Sequence, residues 1–200
     1  MPKIVNHELR RNEISAVAAA LIASGGMEMA TIREIAAVSG YSKGVVEHYF
    51  ENKDALISAA LSWINQCYER RVEKATRGLL GMAALQQRVQ ATLPLNKAVR
   101  DEWKVRLVFW SVAAINEELR KQQEQRLRRA ADYFEGDIRH AIENGEISPA
   151  DEPIDLARRL VTMTTGISIA ALHSRSLYTR QLQLGEVDCF LAQWVGRNTP

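Results

Sequence analysis

The sequence has little that would suit an exported or membrane-bound protein. It contains only two cysteines, Cys67 and Cys189, which lie far apart and form no Cys-x-x-Cys pair. We therefore expect reduced thiols and neither a disulfide nor a cysteine metal site. No apolar run approaches the ~20 residues needed to span a bilayer, and no basic-plus-apolar leader is present. These absences predict a cytoplasmic protein.

An excess of one charge is also missing. The chain has 26 Lys and Arg residues against 24 Asp and Glu residues, a formal net charge of +2. Bulk charge alone therefore gives no indication of a polyanionic partner. With 46% hydrophobic and 25% charged residues among 200, the composition is that of an ordinary globular protein of one or two domains. Helical periodicity without any strand pattern predicts an all-α fold of about nine helices.

Motifs of common nucleotide-binding sites are absent. There is no P-loop and no glycine-rich dinucleotide loop. Asp137, His140 and Glu143 have a spacing that could suggest a metal ligand set on a helix. Di-metal helical bundles need such motifs from several helices, however, and no second one occurs. We predict no metal, no cofactor and no enzymatic activity.

The strongest pattern in the chain runs from Thr31 to Ile57. Thr31 and Glu34 have the spacing of a capping box, which starts a helix by satisfying free backbone N–H groups. Gly40 permits a sharp turn, and Ser42 can cap a second helix. Two helices joined by so short a turn form a helix-turn-helix, whose second helix can enter the major groove of DNA. The pattern therefore predicts a DNA-reading head.

Neighbouring segments complete this head. An amphipathic helix is predicted from about Glu8 to Ser24, and its apolar side can cover the backs of the next two helices. Asn52 can cap a further helix that begins at Lys53 and leaves the head. We expect a DNA-binding domain over residues 1–52 and a helical effector-binding and dimerisation domain over residues 53–200.

The sequence resembles the TetR family of bacterial transcriptional repressors. The resemblance is carried by Thr31-Ile-Arg-Glu-Ile-Ala, Gly40-Tyr-Ser-Lys-Gly44, His48-Tyr-Phe50, Lys53 and Leu56. The segment from Val45 to Phe50 departs from the commoner Thr-Leu-Tyr-x-His-Phe form and is similar to the BetI-like branch, as is the Trp103–Trp110 segment. The resemblance implies a ligand-responsive repressor that binds a near-palindromic operator as a homodimer.

Ten residues of the head are predicted to contact DNA: Thr31, Arg33, Tyr41, Ser42, Lys43, Gly44, Glu47, His48, Tyr49 and Lys53. Family members use the positions of Tyr49 and Lys53 for phosphate contacts, although Tyr49 would also suit a core. Gly44 is a poor helix former, which favours close approach of its backbone to a partner over a tolerated glycine on a solvated face. Glu47 would either accept from cytosine N4 or be repelled by phosphates.

A small-molecule pocket is predicted in the C-terminal domain, lined by Trp63, Trp103, Arg106, Trp110, Met163 and Ile167. Trp103 and Trp110 lie two turns apart on one helical face, with Arg106 within a turn of both. This combination suits an aromatic or anionic compound, whereas an aromatic cage without the arginine would suit a quaternary ammonium. The alternative is that these tryptophans are simply core residues.

A helix is predicted from Pro153 to about His173, and it is apolar on much of its circumference. Together with the family resemblance, this favours a twofold four-helix dimer interface. The proposed interface comprises Leu127, Phe134, Val161, Thr164, Ser168 and Leu172. A central helix buried within one chain is the alternative. Two other functions stay open: a dimeric helical regulator whose effector is a protein, and a regulator without an effector.

Overall fold

Helices account for all regular secondary structure in the computed structural model, which describes residues 7–148 and 151–195. In chain order they are α1 (His7–Gly25), α2 (Ile32–Ser39), α3 (Lys43–Tyr49), α4 (Lys53–Thr76), α5 (Gly81–Thr92), α6 (Lys97–Ala113), α7 (Glu117–Glu143), α8 (Pro153–His173) and α9 (Arg180–Val195). The described residues contain no strand, and the predicted all-α fold is confirmed. None of these helices is long and apolar enough to cross a bilayer.

Local capping sets the geometry of the first three helices. The Thr31 hydroxyl accepts a hydrogen bond from the Glu34 amide at 3.1 Å, which starts α2. Gly40 ends it in the left-handed region with φ of 73°, and its amide donates to the Ala36 carbonyl. The Ser42 hydroxyl then accepts from the Val45 amide at 3.3 Å and starts α3. The turn between α2 and α3 is therefore specified by residues within it.

The contacts divide the described residues into two compact units. Unit 1 contains residues 7–67 and Asp101–Arg120, and unit 2 contains Tyr68–Arg100, 121–148 and 151–195. In unit 1, apolar residues of α1 to α3 share one buried cluster with residues of α4 and α6, including Ile14, Ile22, Ile35, Val46, Phe50, Leu56, Leu61 and Phe109. The three-helix head therefore shares a buried cluster with the first part of α4. The predicted domain boundary after residue 52 stays a proposal about where DNA binding ends and effector binding begins.

Unit 2 has a core of its own. Its buried cluster draws on α5, α7, α8 and α9, including Leu85, Val89, Phe134, Ile138, Leu160, Val187 and Trp194. Arg88 and Asp137 form a two-point ion pair beside this cluster, with Nε–Oδ2 at 2.6 Å and Nη2–Oδ1 at 3.2 Å. The carboxylate that sequence spacing placed near His140 and Glu143 is therefore engaged by an arginine on another helix.

The start of α5 depends on a distant residue. This helix begins at Gly81, whose φ is 60°. No side chain at Leu80 caps it. Instead, the Glu146 carboxylate accepts a hydrogen bond from the Met82 amide at 2.9 Å. A Cβ on residue 81 would collide with this carboxylate, so Gly81 permits the approach as well as the turn.

Candidate nucleic-acid interface

The ten residues predicted to contact DNA all lie in unit 1, on α2, the following turn, α3 and the start of α4. Eight have exposed side chains or backbone: Thr31, Arg33, Ser42, Lys43, Gly44, Glu47, His48 and Lys53. Tyr41 and Tyr49 are half-buried. The fold therefore brings the predicted residues into one region of the head and leaves most of them accessible. Contact with DNA itself stays a prediction.

Thr31 and Ser42 have a structural role that limits what they can offer a ligand. Each hydroxyl oxygen accepts a backbone N–H at a helix start, from Glu34 and Val45 respectively. A hydroxyl group is also a donor, so its hydrogen can still be given to a phosphate oxygen. The caps and the possible phosphate contacts are thus compatible, and they use different parts of the same group.

The Tyr41 hydroxyl already has an acceptor within the chain. It donates a hydrogen bond to the Glu13 carboxylate of α1, and the Arg10 guanidinium lies 5.7 Å from the centre of its ring. The hydrogen bond to Glu13 raises the pKa of Tyr41 above its usual value. Tyr41 therefore links the helix-turn-helix turn to α1. Sequence reasoning missed Glu13 and Arg10, because no local spacing connects residues that are 28 positions apart.

Tyr49 links α3 to α1 in a similar way. Its hydroxyl forms a hydrogen bond of 3.0 Å with Nδ1 of His7. Its ring meets that of His48 edge-on, with centroids 5.4 Å apart, and also lies against Phe50 of the core. The ring of Tyr49 therefore packs against the core cluster, which was one of the two roles left open by the sequence. Its hydroxyl is bonded to His7, and a phosphate contact stays a prediction.

Lys43 and Glu47 form the most exposed charged pair on α3. Lys43 Nζ lies 3.2 Å from Glu47 Oε1, and the two side chains are 69% and 51% exposed. Exposed pairs of this kind at i and i+4 contribute only about 0.3–0.5 kcal/mol. Either side chain can therefore leave the other for a partner with little loss of stability, and the lysine reduces the repulsion that Glu47 alone would exert on a phosphate.

No packing contact among residues 7–148 and 151–195 explains Gly44. A Cβ built at this position would meet no atom within 4 Å. In a helix, glycine is about 1 kcal/mol less favourable than alanine. A glycine that costs helix stability without relieving an internal clash is consistent with a close approach from outside the chain.

The residues predicted to line an effector pocket fall in both units. Trp63, Trp103, Arg106 and Trp110 belong to unit 1, and Met163 and Ile167 belong to unit 2. Trp103 is almost fully buried, whereas Trp63 and Trp110 are half-buried. Ile167 is buried in the core cluster of unit 2, with Met163 packed against it.

The structure reduces the number of predicted interface residues that could contact a second copy. Phe134, Thr164 and Ser168 are at most 2% exposed within one chain, so they have no accessible area to bury against a second copy. Their side of α7 and α8 is covered by the core of unit 2. Leu127 is exposed, and Val161 and Leu172 are half-buried. Periodicity showed that α8 was broadly apolar, but it could not show which part the chain itself covers.

The three-helix head, with its short turn and exposed α3 face, defines a helix-turn-helix DNA-binding protein. Residues 14–60 match the profile of bacterial regulatory proteins of the tetR family, and residues 81–195 match that of the BetI-type transcriptional repressor C-terminal region. The chain belongs to the TetR family, with a C-terminal region of the BetI type. Both matches are to transcriptional regulators, which confirms that it is a regulator and not an enzyme.

Individual relatives are distant. The chain is 26% identical over 185 residues to the transcriptional regulator BetI of Ectopseudomonas mendocina, covering 90% of this chain and 91% of that protein. It is 32% identical to the regulator PksA of Bacillus subtilis over 114 residues, which make up 56% of this chain and 56% of that protein. Its fold is similar to that of a regulator from Saccharomonospora viridis solved in complex with choline, with a TM-score of 0.83, 22% identity and coverage of 93% and 97%.

Proposed function

We propose that this chain is a repressor that binds a near-palindromic DNA operator as a homodimer and releases it when a small molecule binds the C-terminal domain. The exposed face of α3 is the observation that carries the proposal. Lys43, Gly44 and Glu47 are accessible there, and no packing contact in the described part of the chain requires a glycine at position 44. Such a face suits base edges in the major groove, while Thr31, Ser42 and Lys53 suit flanking phosphates.

A dimer is supported by the single reading head and by one face of α8. One head covers only a half-site, so a specific operator of ordinary length needs two copies. Val161, Thr165, Ile169 and Leu172 recur on one side of α8, are uncharged and keep part of their surface accessible. On α9, Leu182 and Cys189 are exposed two turns apart. We propose that this surface, in place of Phe134, Thr164 and Ser168, meets the second copy.

Control by a small molecule is supported by the match of residues 81–195 to the BetI-type region. An effector releases DNA only if it binds one conformation of the regulator better than another. A compound that stabilises the protein should therefore weaken operator binding. A thermal-shift screen followed by titration against labelled operator tests this. If no compound acts and a protein partner releases the DNA, the effector is that protein.

Selection of DNA fragments by the purified full-length chain tests the central proposal. The selected fragments should share an inverted repeat, and a dimer should bind it. Affinity should fall steeply between about 50 and 200 mM salt, because phosphate contacts release counterions. Selected sequences without a repeat, or binding that is insensitive to salt, would contradict the proposal.

A further inference from the structure

Three side chains of α1 border the helix-turn-helix. His7, Arg10 and Glu13 recur at every third residue, so each is a neighbour of the next on the surface of α1. His7 Nδ1 lies 3.0 Å from the Tyr49 hydroxyl at the end of α3. Glu13 accepts a hydrogen bond from the Tyr41 hydroxyl in the turn before α3. We call these three side chains the α1 strip. The strip contacts residues at both ends of α3, and Arg10 lies between the two contacts.

Arg10 rests on an aromatic ring that is itself held in place. Its guanidinium carbon lies over the Tyr41 ring, 5.7 Å from the ring centre. The Tyr41 side chain packs against the core cluster of unit 1, and its hydroxyl is bonded to Glu13. A planar guanidinium that lies over a ring directs its N–H groups sideways, within its own plane, where they suit the oxygens of a phosphate.

The position of this guanidinium relative to α3 makes a DNA phosphate its natural partner. Tyr41 immediately precedes Ser42 and Lys43, two exposed residues that are predicted to contact DNA. The major groove is only about 12 Å wide, so side chains that flank a helix inserted in it lie close to the phosphates of its walls. A cation that rests on the residue before α3 is therefore placed near the DNA backbone.

We propose that Arg10 is a further phosphate-binding residue of the head and that Tyr41 and Glu13 position it. The inference rests on the proposed insertion of α3 into the major groove, and it extends the DNA-binding surface from the helix-turn-helix to α1. Arg10 contacts the backbone and so raises affinity for every sequence alike. Tyr41 contributes through Arg10, even though its hydroxyl hydrogen is donated to Glu13.

The salt dependence of DNA affinity counts phosphate contacts and therefore tests the proposal. With the full-length chain, Arg10→Ala should reduce the slope of log Kd against log salt concentration by about 1 for each bound copy. Binding should weaken by a similar factor on the selected operator and on a labelled duplex of scrambled sequence. The melting temperature should stay within about 4 °C of the wild type, because a partly exposed cation–π contact contributes little to stability.

Two control variants separate the position of the charge from its mere presence. Arg11→Ala removes the same charge from an exposed residue that lies about 100° further around α1. It should leave the salt slope unchanged. Arg10→Lys keeps the charge and should keep the slope, but it should bind less tightly than the wild type, because an ammonium lacks the planar fork that suits both the ring and a phosphate.

A double-mutant cycle tests the role of the ring. Tyr41→Leu removes the surface on which the guanidinium rests, so adding Arg10→Ala to it should lower the salt slope by less than the same change does in the wild type. A ring that only stabilised the head would leave the effect of Arg10→Ala on the slope unaltered. If Tyr41→Leu does not fold, the cycle is run with Tyr41→Phe, which keeps the ring but releases it from Glu13.

Three results would overturn the proposal. An unchanged salt slope in folded Arg10→Ala would mean that Arg10 does not reach a phosphate. An equal reduction in Arg11→Ala would mean that only the total charge of α1 matters. Additive effects in the cycle would mean that Tyr41 does not position Arg10.

Failure of the proposed function would look different from these results. It would appear in the wild type, as selected fragments without an inverted repeat or as no binding to any duplex. Phosphate contacts do not depend on sequence, so the scrambled duplex tests Arg10 without an operator or an effector. A wild type that binds no duplex would refute both proposals, whereas a wild type that binds with the same salt slope as Arg10→Ala would refute only this one.

Discussion

Replacing Glu47 by alanine separates reading of DNA from stability of the head. The side chain is half exposed and forms an ion pair with Lys43 on the same helix. Loss of that pair should change the free energy of unfolding by no more than about 0.5 kcal/mol. If Glu47 accepts from cytosine N4, discrimination at one base pair of each half-site should fall by about 1–3 kcal/mol, or roughly 5- to 160-fold.

Binding to a set of operator variants, each with one base pair changed in both half-sites, measures this effect by fluorescence anisotropy. The wild type should prefer one base pair at a single position, and Glu47→Ala should lose that preference while melting within about 2 °C of the wild type. Glu51→Ala is the matched control, because it removes an exposed carboxylate just after α3. It should leave the base preference unchanged.

Two results would reject readout by Glu47. Uniformly tighter binding to every sequence would mean that the carboxylate only repels phosphates. An unchanged base profile with unchanged affinity would mean that it does not face the DNA.

Three further substitutions test other parts of the structure. Gly44→Ala should stabilise α3 by up to about 1 kcal/mol in thermal unfolding, yet weaken operator binding about tenfold or more, because its Cβ has room within the chain but would meet DNA. Ile169→Glu should place a charge on the proposed α8 interface and shift the protein toward monomer in sedimentation. Asp137→Asn should lower the free energy of unfolding by about 3 kcal/mol in urea, since it weakens the buried pair with Arg88.

Each of these three substitutions has a control variant or an outcome that would contradict its prediction. Gly44→Ala with wild-type affinity would place α3 away from the DNA. Ala83→Glu puts the same charge on an exposed position of α5, and equal sedimentation of the two glutamate variants would reject the α8 interface. Asp155→Asn breaks an exposed pair with Arg158 and should cost less than about 1 kcal/mol. If Asp137→Asn lowered the free energy of unfolding by no more than Asp155→Asn, burial would add nothing to the strength of the Arg88–Asp137 pair.

The head was largely predictable because its geometry is local. Thr31, Gly40 and Ser42 each act on backbone groups within four residues, so their spacing in the sequence is sufficient to predict the turn. The bounds of α8, from Pro153 to His173, also agree with the prediction because proline favours the first turn of a helix.

Contacts between distant residues were not predictable in the same way. The Tyr41–Glu13 and Arg88–Asp137 pairs join positions 28 and 49 residues apart, and no periodicity links them. Ser168 shows a different limit of prediction from the sequence. Helical periodicity gives the width of an apolar face, but it does not say whether the chain or a second copy covers it. The side chain proved to be buried within the chain.

The hydrogen bond from the Met82 amide to Glu146 makes one backbone proton a reporter of a remote event. The two residues are 64 positions apart, so the amide acquires this acceptor only after the segment following α7 has reached the start of α5. Closing so long a loop carries an entropic cost that local helix formation does not. In heavy water, the exchange rate of this single amide would therefore measure how often that segment detaches while α5 itself stays helical.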